Sequence, residues 1–285
     1  MSKRLKRSIT AVVALGVIIG LFLIPGGKKA NFPVAEEFVL KPIIKIPKLG
    51  PVDLSITKGV IYLWITVALV VVLAVVATRL LKRQPGRFQT LLEGLYQIAS
   101  DGIVGSVMRS GGAEYFPYIA SLFFFILITN FMGLVPLPFG AHGQLAFYAA
   151  TSNINVTIAL AVCTFVITHV AGVKKRGGIG YLKHWVIPGA PPVMKQFVYV
   201  LDIISEFNRL ISLSVRLFAN MLGGHAILAV FFAMALIFQN YLAAAVLQGG
   251  SLVFFLFEIF VSVIQAFIFG ILSAVYINSA VAEGH

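Results

Sequence analysis

The chain has 285 residues, of which 59% are hydrophobic and only 11% are charged, and its formal net charge is +12. This composition excludes an ordinary soluble globular domain, in which about 25% of residues are charged. It predicts a polytopic α-helical membrane protein. The positive charge does not indicate nucleic-acid binding, because no basic, aromatic surface domain remains outside the apolar segments. The single cysteine lies in an apolar segment and offers neither a disulfide framework nor a cysteine metal site.

The N-terminal residues 1–25 have the shape of a signal peptide, with a basic start followed by the apolar run ITAVVALGVIIGLFLIP. No small-x-small cleavage motif follows, so a retained first helix is slightly favoured over a cleaved signal, and both remain open. The Pro- and Lys-containing residues 26–57 predict an external loop. The remaining residues, 58–285, are expected to form one membrane-embedded domain.

Three apolar segments follow, at 60–78, at about 115–136 and at about 153–173. Each is long enough to cross ~30 Å of hydrocarbon as a helix. Residues 88–108 differ, because their apolar side chains recur at helical spacing and polar side chains occupy the other faces. This pattern is typical of an amphipathic helix that lies in the membrane interface.

The charges of the connecting segments predict the orientation through the positive-inside rule. The basic segments 79–87 and 174–183 are expected inside, and the 137–152 loop, which has no Lys or Arg, is expected outside. The C-terminus then lies inside. The lysines of the 26–57 loop run against the rule, but the other loops outweigh them.

The C-terminal part contains two unusually long apolar segments. From about 194 to 241 there is no proline, and some 45 residues would make a helix of roughly 70 Å, more than twice the hydrocarbon thickness. Such a helix must tilt steeply or break near Gly223 and Gly224. A turn is predicted at 248–250, after which 251–281 returns antiparallel. The predicted fold is therefore an all-α membrane protein with five to six transmembrane helices, a long, steeply tilted C-terminal helical hairpin and one interfacial helix.

The first of these long helices carries a stripe of small and polar residues on one face, because its members follow one another at steps of three or four. Such a stripe lets another helix approach closely. An arginine within an apolar helix costs at least ~2.5 kcal/mol on insertion scales, so Arg216 indicates a functional site. An internal ion pair of Arg216 with Glu258 is the structural alternative, and Arg209 could also lie at the interface. The polar stripe consists of Asp202, Ser205, Arg209, Ser212, Arg216, Asn220 and Gly223.

Ionisable residues away from this stripe form a second signal. His225 follows Arg216 by nine residues, about 180° around the helix axis, and so points away from the stripe. On the returning helix, Glu258, Ser262 and Gln265 share a face, which suggests a hydrated path. Ser262 and Gln265 could also simply join helices. His225 and Glu258 are residue types from which proton relays through membranes are commonly built.

Several segments resemble one family. SLSVRLFANMLGG (212–224) and EIFVSVIQAFIFGILSAVY (258–276) closely resemble subunit a of F-type ATP synthases, and LFFFILITNFMGLVP (122–136) and SNINVTIALAV (152–162) look similar to the same family. The resemblance covers about residues 60–281. It implies a membrane stator beside a rotating ring of subunit c, with two half-channels that do not meet.

The resemblance also implies roles for individual residues. Arg216 matches the arginine between the half-channels, and Asn220 is its neighbour on the ring-facing side. His225, Glu258 and Gln265 match positions of the half-channel open to the outside. Some members carry Glu and His in the opposite order, so the order of proton transfer stays open here. Possible supporting polar positions are Ser212, Arg209, Asp202 and Ser262.

Partners and location follow from the resemblance too. It implies the subunit c ring, the peripheral stalk subunit b, other ATP synthase subunits and the lipid bilayer as partners, in a bacterial plasma (inner) membrane. No cofactor, metal, nucleic acid or catalytic site is expected, since the chain has no phosphate-binding glycine loop, metal cluster or nucleophile constellation. Proton and sodium both remain open as the coupling ion.

Two other functions can be weighed against this one. The first is a secondary transporter that binds a small anion at Arg216, but such folds usually show internal repeats, and none is visible before the long helices. The second is a structural assembly subunit without an ion path. That reading leaves His225 and Glu258 unexplained.

Overall fold

The structure is a computed structural model, and residues 42–44, 55–79, 86–108, 112–134, 149–178, 180–181, 192–237 and 241–282 are described. The predicted N-terminal helix or signal segment 1–25 and most of the 26–57 and 137–152 loops lie outside the described residues. The elements, in chain order, are strands β1 (Pro42–Ile44) and β2 (Ile56–Thr57) and helices α1 (Lys58–Arg79), α2 (Arg87–Gln97), α3 (Gly112–Leu134), α4 (Ile154–Arg176), α5 (Pro192–Ile237) and α6 (Tyr241–Val281).

Five helices of the described residues are long and apolar enough to cross a membrane: α1, α3 and α4, and stretches of 36 and 37 residues within α5 and α6. This confirms the predicted all-helical membrane fold with two long C-terminal helices. The spans predicted at 60–78, 115–136 and 153–173 correspond to α1, α3 and α4, with ends that differ by a few residues. Each is one continuous helix, which pairs the backbone N–H and C=O groups within the segment, as lipid requires.

The amphipathic segment forms α2 and continues as a π-helix over Ile98–Gly105. Its first part exposes Phe88 and Leu91, whereas the π-helical part buries Ala99 and Ile103. The predicted helix is therefore present, with apolar side chains left uncovered on one face. Its position in the membrane interface stays a prediction.

Helix α4 shows how local sequence sets the ends of a span. It begins after Asn153, whose side-chain oxygen accepts a hydrogen bond from the backbone N–H of Asn155, a standard N-cap. It ends at Gly177, whose φ of 72° favours glycine. The last turn carries Lys174, Lys175 and Arg176, which complement the negative end of the helix dipole.

The predicted turn at 248–250 is wrong, because α6 already begins at Tyr241 and runs through these residues. Helix α5 likewise continues through Gly223 and Gly224. A glycine within a helix costs about 1 kcal/mol, whereas each backbone group left unpaired in hydrocarbon costs several, so the helix continues. The second glycine of the 249–250 pair also has a packing role, since a Cβ at Gly250 would lie 3.3 Å from the Phe231 ring.

A small antiparallel sheet was not predicted. β1 pairs with β2 through Pro42 opposite Thr57 and Ile44 opposite Ile56, within the segment that the sequence analysis took as a loop. Strands of three and two residues are too short to produce a readable alternation of polar and apolar residues. The sheet leads directly into α1.

The described residues divide into two compact units. The larger unit contains residues from 42 to 222 and from 261 to 282, and the smaller unit contains residues from 223 to 260. The larger unit has the hydrophobic core, to which α2 with its π-helical extension, α3, α4, α5 and α6 all contribute. Its fully buried large side chains include Ile103, Ile119, Phe123, Leu217, Phe269 and Ile277.

In both units α5 and α6 run antiparallel, because residue numbers rise along one helix as they fall along the other. In the larger unit Asn220 contacts Gln265, and Arg209 lies over Tyr276. In the smaller unit the ring of Phe231 lies near that of Phe254, with centroids 6.2 Å apart. The antiparallel direction of the hairpin was predicted correctly, although its turn was misplaced. Its steep tilt in the membrane stays a prediction.

Candidate functional site

The polar stripe of α5 lies mostly on the uncovered side of the helix. Ser212, Arg216 and Asn220 are exposed, whereas the residue that follows each of them is buried in the larger unit: Leu213, Leu217 and Met221. Within the described residues, Arg216 forms no hydrogen bond and no ion pair. The guanidinium is thus presented at the surface of the chain, not neutralised by a carboxylate there.

Asn220 joins the stripe to α6. Its side-chain Nδ2 donates a hydrogen bond of 2.7 Å to Oε1 of Gln265. Gln265 is buried, and its own amide nitrogen has no hydrogen-bond partner among the described residues. The structure therefore brings together two of the residues proposed from the sequence and leaves a buried donor beside them.

A chain of polar groups continues from α6 towards α3. Asn130 Nδ2 donates to the backbone oxygen of Ser262 at 3.4 Å, and Thr151 Oγ1 donates to Asn130 Oδ1 at 2.8 Å. All three residues are buried, and the Ser262 hydroxyl has no partner in the described part of the chain. Ser262 thus lies among polar side chains in an otherwise apolar interior, where an unpaired hydroxyl costs free energy.

His225 and Glu258 form a hydrogen-bonded pair in the smaller unit, with Nδ1 of His225 2.9 Å from Oε1 of Glu258. Glu258 is 2% exposed, and Gly224 lies against its carboxyl group. The second carboxylate oxygen and His225 Nε2 have no partner among the described residues. Because an isolated buried carboxylate is costly, this pair is suited to holding or passing one proton.

Arg209 forms two side-chain contacts within the larger unit, and its position at a membrane interface stays a prediction. Its Nη1 is 2.6 Å from Oε1 of Glu206, one turn earlier on α5, and its guanidinium carbon lies 5.2 Å from the centre of the Tyr276 ring. This is an ion pair combined with a cation–π contact. Asp202 and Ser205 line a cavity of about 180 Å³ beside this pair.

Glu206, Asn130 and Thr151 were not predicted from the sequence. The spacing of Glu206 and Arg209, three residues apart on one helix, was a readable signal for an ion pair. Asn130 and Thr151 come from different elements, and only the packing of the helices brings them together. Among the described residues, no group of three His, Cys, Asp or Glu side chains could hold a metal ion.

Comparison with known proteins gives one consistent result. A family model described as ATP synthase A chain matches residues 60–278. A Rubrobacter xylanophilus protein named ATP synthase subunit a is 39% identical over 235 residues, 82% of this chain and 87% of that protein. Proteins of the same name from Myxococcus xanthus and Pelodictyon phaeoclathratiforme are 37% and 36% identical, over 85% and 88% of this chain and 78% and 73% of their own lengths.

Proposed function

The chain belongs to the ATP synthase A chain family, and from this premise we propose which of its residues form the proton path. As a member of the family it is the proton-translocating stator of the F0 membrane sector, a non-catalytic, multi-pass membrane subunit. We propose that Arg216 is the fixed positive charge of the proton path. The polar groups of one half-channel are proposed to be His225, Glu258, Gln265 and Asn220.

The proposed role of Arg216 rests on its exposed position on α5. A guanidinium stays protonated at any physiological pH, and here it has no carboxylate partner in the described part of its own chain. It is therefore available to a carboxylate on a neighbouring subunit, which we take to be a ring of subunit c. A passing carboxylate would be drawn into its ionised form by the opposite charge. The same charge opposes a proton that crosses directly between the half-channels.

His225 and Glu258 are proposed to take up protons from the outside. Their hydrogen bond places two groups that can change protonation state in contact, with one free acceptor or donor position on each side. Glu258 and Gln265 are seven residues apart on α6, two turns along one face. Gln265 is bonded to Asn220, which shares the stripe with Arg216. Protons would pass from the ionisable pair towards this stripe.

Partners and orientation belong to the same proposal. The exposed polar stripe of α5 would face the subunit c ring, and the peripheral stalk subunit b would hold the chain against rotation. We place the chain in a bacterial plasma (inner) membrane, with the C-terminus cytoplasmic. The basic end of α4, with Lys174, Lys175 and Arg176, supports this orientation through the positive-inside rule.

Replacing Arg216 tests the assignment. Arg216→Ala should abolish proton-driven ATP synthesis in membrane vesicles and raise the passive proton leak, because the fixed charge no longer separates the half-channels. A potential of 100 mV supplies about 2.3 kcal/mol per charge, so each leaked proton removes useful work. Arg216→Lys should be poorly tolerated as well, since lysine lacks the planar fork and can lose its proton when buried.

The control is Val215→Ala, at the preceding residue of the same helix, which is also exposed. This variant should keep coupled synthesis, and all variants should assemble, as judged by co-purification of the complex. Normal coupled synthesis in either Arg216 variant would refute the assignment.

A further inference from the structure

Two neighbouring cavities lie in the larger unit, beside the N-terminal half of α5. One has a volume of about 180 Å³ and the other about 20 Å³, and each can hold at least one water, which needs about 10–15 Å³ of such volume. They share the lining residues Thr168, Glu206 and Arg209. The larger cavity is completed by Tyr181, Asp202, Ser205, Ser279 and Ala280.

The walls of the cavities are suited to water. Thr168 lines both cavities, and its hydroxyl is buried and has no hydrogen-bond partner among the described residues. A buried hydroxyl without a protein partner is the type of group that ordered water satisfies. Around the larger cavity stand two carboxylates, of Asp202 and Glu206, and one guanidinium, of Arg209. The local charge therefore favours a hydrated proton over an anion.

The ion pair of Glu206 and Arg209 stands in the wall common to both cavities. Tyr276 lies against the guanidinium from α6 and also lines the smaller cavity. Arg209 precedes Arg216 by seven residues, two turns or about 10.5 Å along the helix, on the same face. A proton on this side of Arg216 would therefore meet a second fixed cation unless that cation were neutralised.

We propose that Glu206 is a positioning residue which neutralises Arg209 inside a water-filled path between Arg216 and the membrane surface at the N-terminal end of α5. Glu206 acts through Arg209: it holds the guanidinium against Tyr276 and cancels its charge. Among the described residues of the polar stripe, Arg216 is then the only uncompensated cation. The inference rests on the proposed role of Arg216. It adds the requirement that the charge of Arg209 be balanced by Glu206.

The test is a double-mutant cycle in the assembled complex, read as the passive proton conductance of membrane vesicles from which the catalytic sector has been removed. Glu206→Gln leaves Arg209 charged beside the path and should slow conduction roughly tenfold, because an uncompensated positive charge in the cavity wall repels the passing proton. The double variant Glu206→Gln with Arg209→Gln removes both charges. It should recover most of the conductance.

A purely structural ion pair would behave differently, because its loss would lower the yield of assembled complex and leave the conductance of each assembled complex unchanged. The matched control is Glu114→Gln, which breaks the exposed ion pair of Glu114 with Lys174 by the same chemical change and should leave conductance unaltered. Normal conductance in Glu206→Gln, or no recovery in the double variant, would overturn the inference. Either result leaves the Arg216 assignment standing, since that depends on coupled synthesis in the Arg216 variants.

Discussion

Gly224 shows how one missing side chain permits the ionisable pair. A Cβ at this position would overlap the carboxyl group of Glu258, with the carboxyl carbon only 2.7 Å away. The carboxylate is therefore held between the α5 backbone and the His225 ring, and it is almost completely buried. The helix itself would be more stable with alanine by up to about 1 kcal/mol. The glycine is therefore explained by the close approach of the Glu258 carboxyl group to the α5 backbone.

Gly224→Ala should accordingly impair proton uptake without destabilising α5. We expect slower proton-driven ATP synthesis, because the Glu258 carboxyl group is displaced from His225, and no added leak, since Arg216 still blocks the direct route. The control is Gly249→Ala, where a Cβ would meet nothing within 4 Å. Synthesis rates and leak in vesicles provide the measurement. Full activity in Gly224→Ala would show that the observed position of the Glu258 carboxyl is not needed for transport.

Individual functional residues could be predicted from the sequence where a side chain is unusual for the helix that carries it. Arg216, His225 and Glu258 stand out because charged or titratable groups are costly in an apolar helix. Asn130 does not, since an isolated amide in a span most often joins helices, and Thr151 lies in the short turn before α4. The contact of Asn130 with the Ser262 backbone depends on the packing of α3 against α6, and Thr151 contacts Asn130 from a third element. No spacing rule along the chain contains that information.

The helices themselves were predictable to within a few residues, apart from the turn between α5 and α6. Glycine pairs are usual turn signals in soluble proteins, and this led to the wrong prediction at 248–250. In an apolar environment the cost of unpaired backbone groups outweighs the low helix propensity of glycine. Gly250 is instead explained by the Phe231 ring that packs against it. The rule that a glycine pair marks a turn failed here because it describes chains in water, not chains in lipid.

Proline substitution distinguishes the interior of α6 from its first turn. Gly249→Pro removes a helical hydrogen bond and introduces a clash, at a cost of about 3 kcal/mol or more, and should reduce the yield of assembled complex. Ala243→Pro lies in the first turn of α6, where no intrahelical partner for the N–H exists, and should be tolerated. Yield and thermal stability of the purified complex are the measurements. Equal tolerance of both variants would favour a turn at 248–250.

Across the whole chain, the positions of charged side chains at the helix ends indicate how the chain is oriented in the membrane. In the larger unit the start of α3 meets the end of α4 through Glu114 and Lys174, 2.5 Å apart. Arg176 donates to the backbone oxygens of Ala280 and Ala282 at the end of α6. The basic end of α4 and the C-terminal residues therefore lie at the same end of this unit. By the positive-inside rule we expect that end to be cytoplasmic.

Cysteine labelling tests this orientation in a Cys163→Ser background. A cysteine at Ala282 should react with a membrane-impermeant maleimide in inverted vesicles but not in intact cells. A cysteine at Asn155, at the opposite end of α4, should show the reverse. Helix α4 has 23 residues, about 35 Å, which is enough to separate its ends across the hydrocarbon. Exchanged labelling patterns would contradict the positive-inside assignment, and labelling of both cysteines from one side would mean that α4 does not cross the membrane.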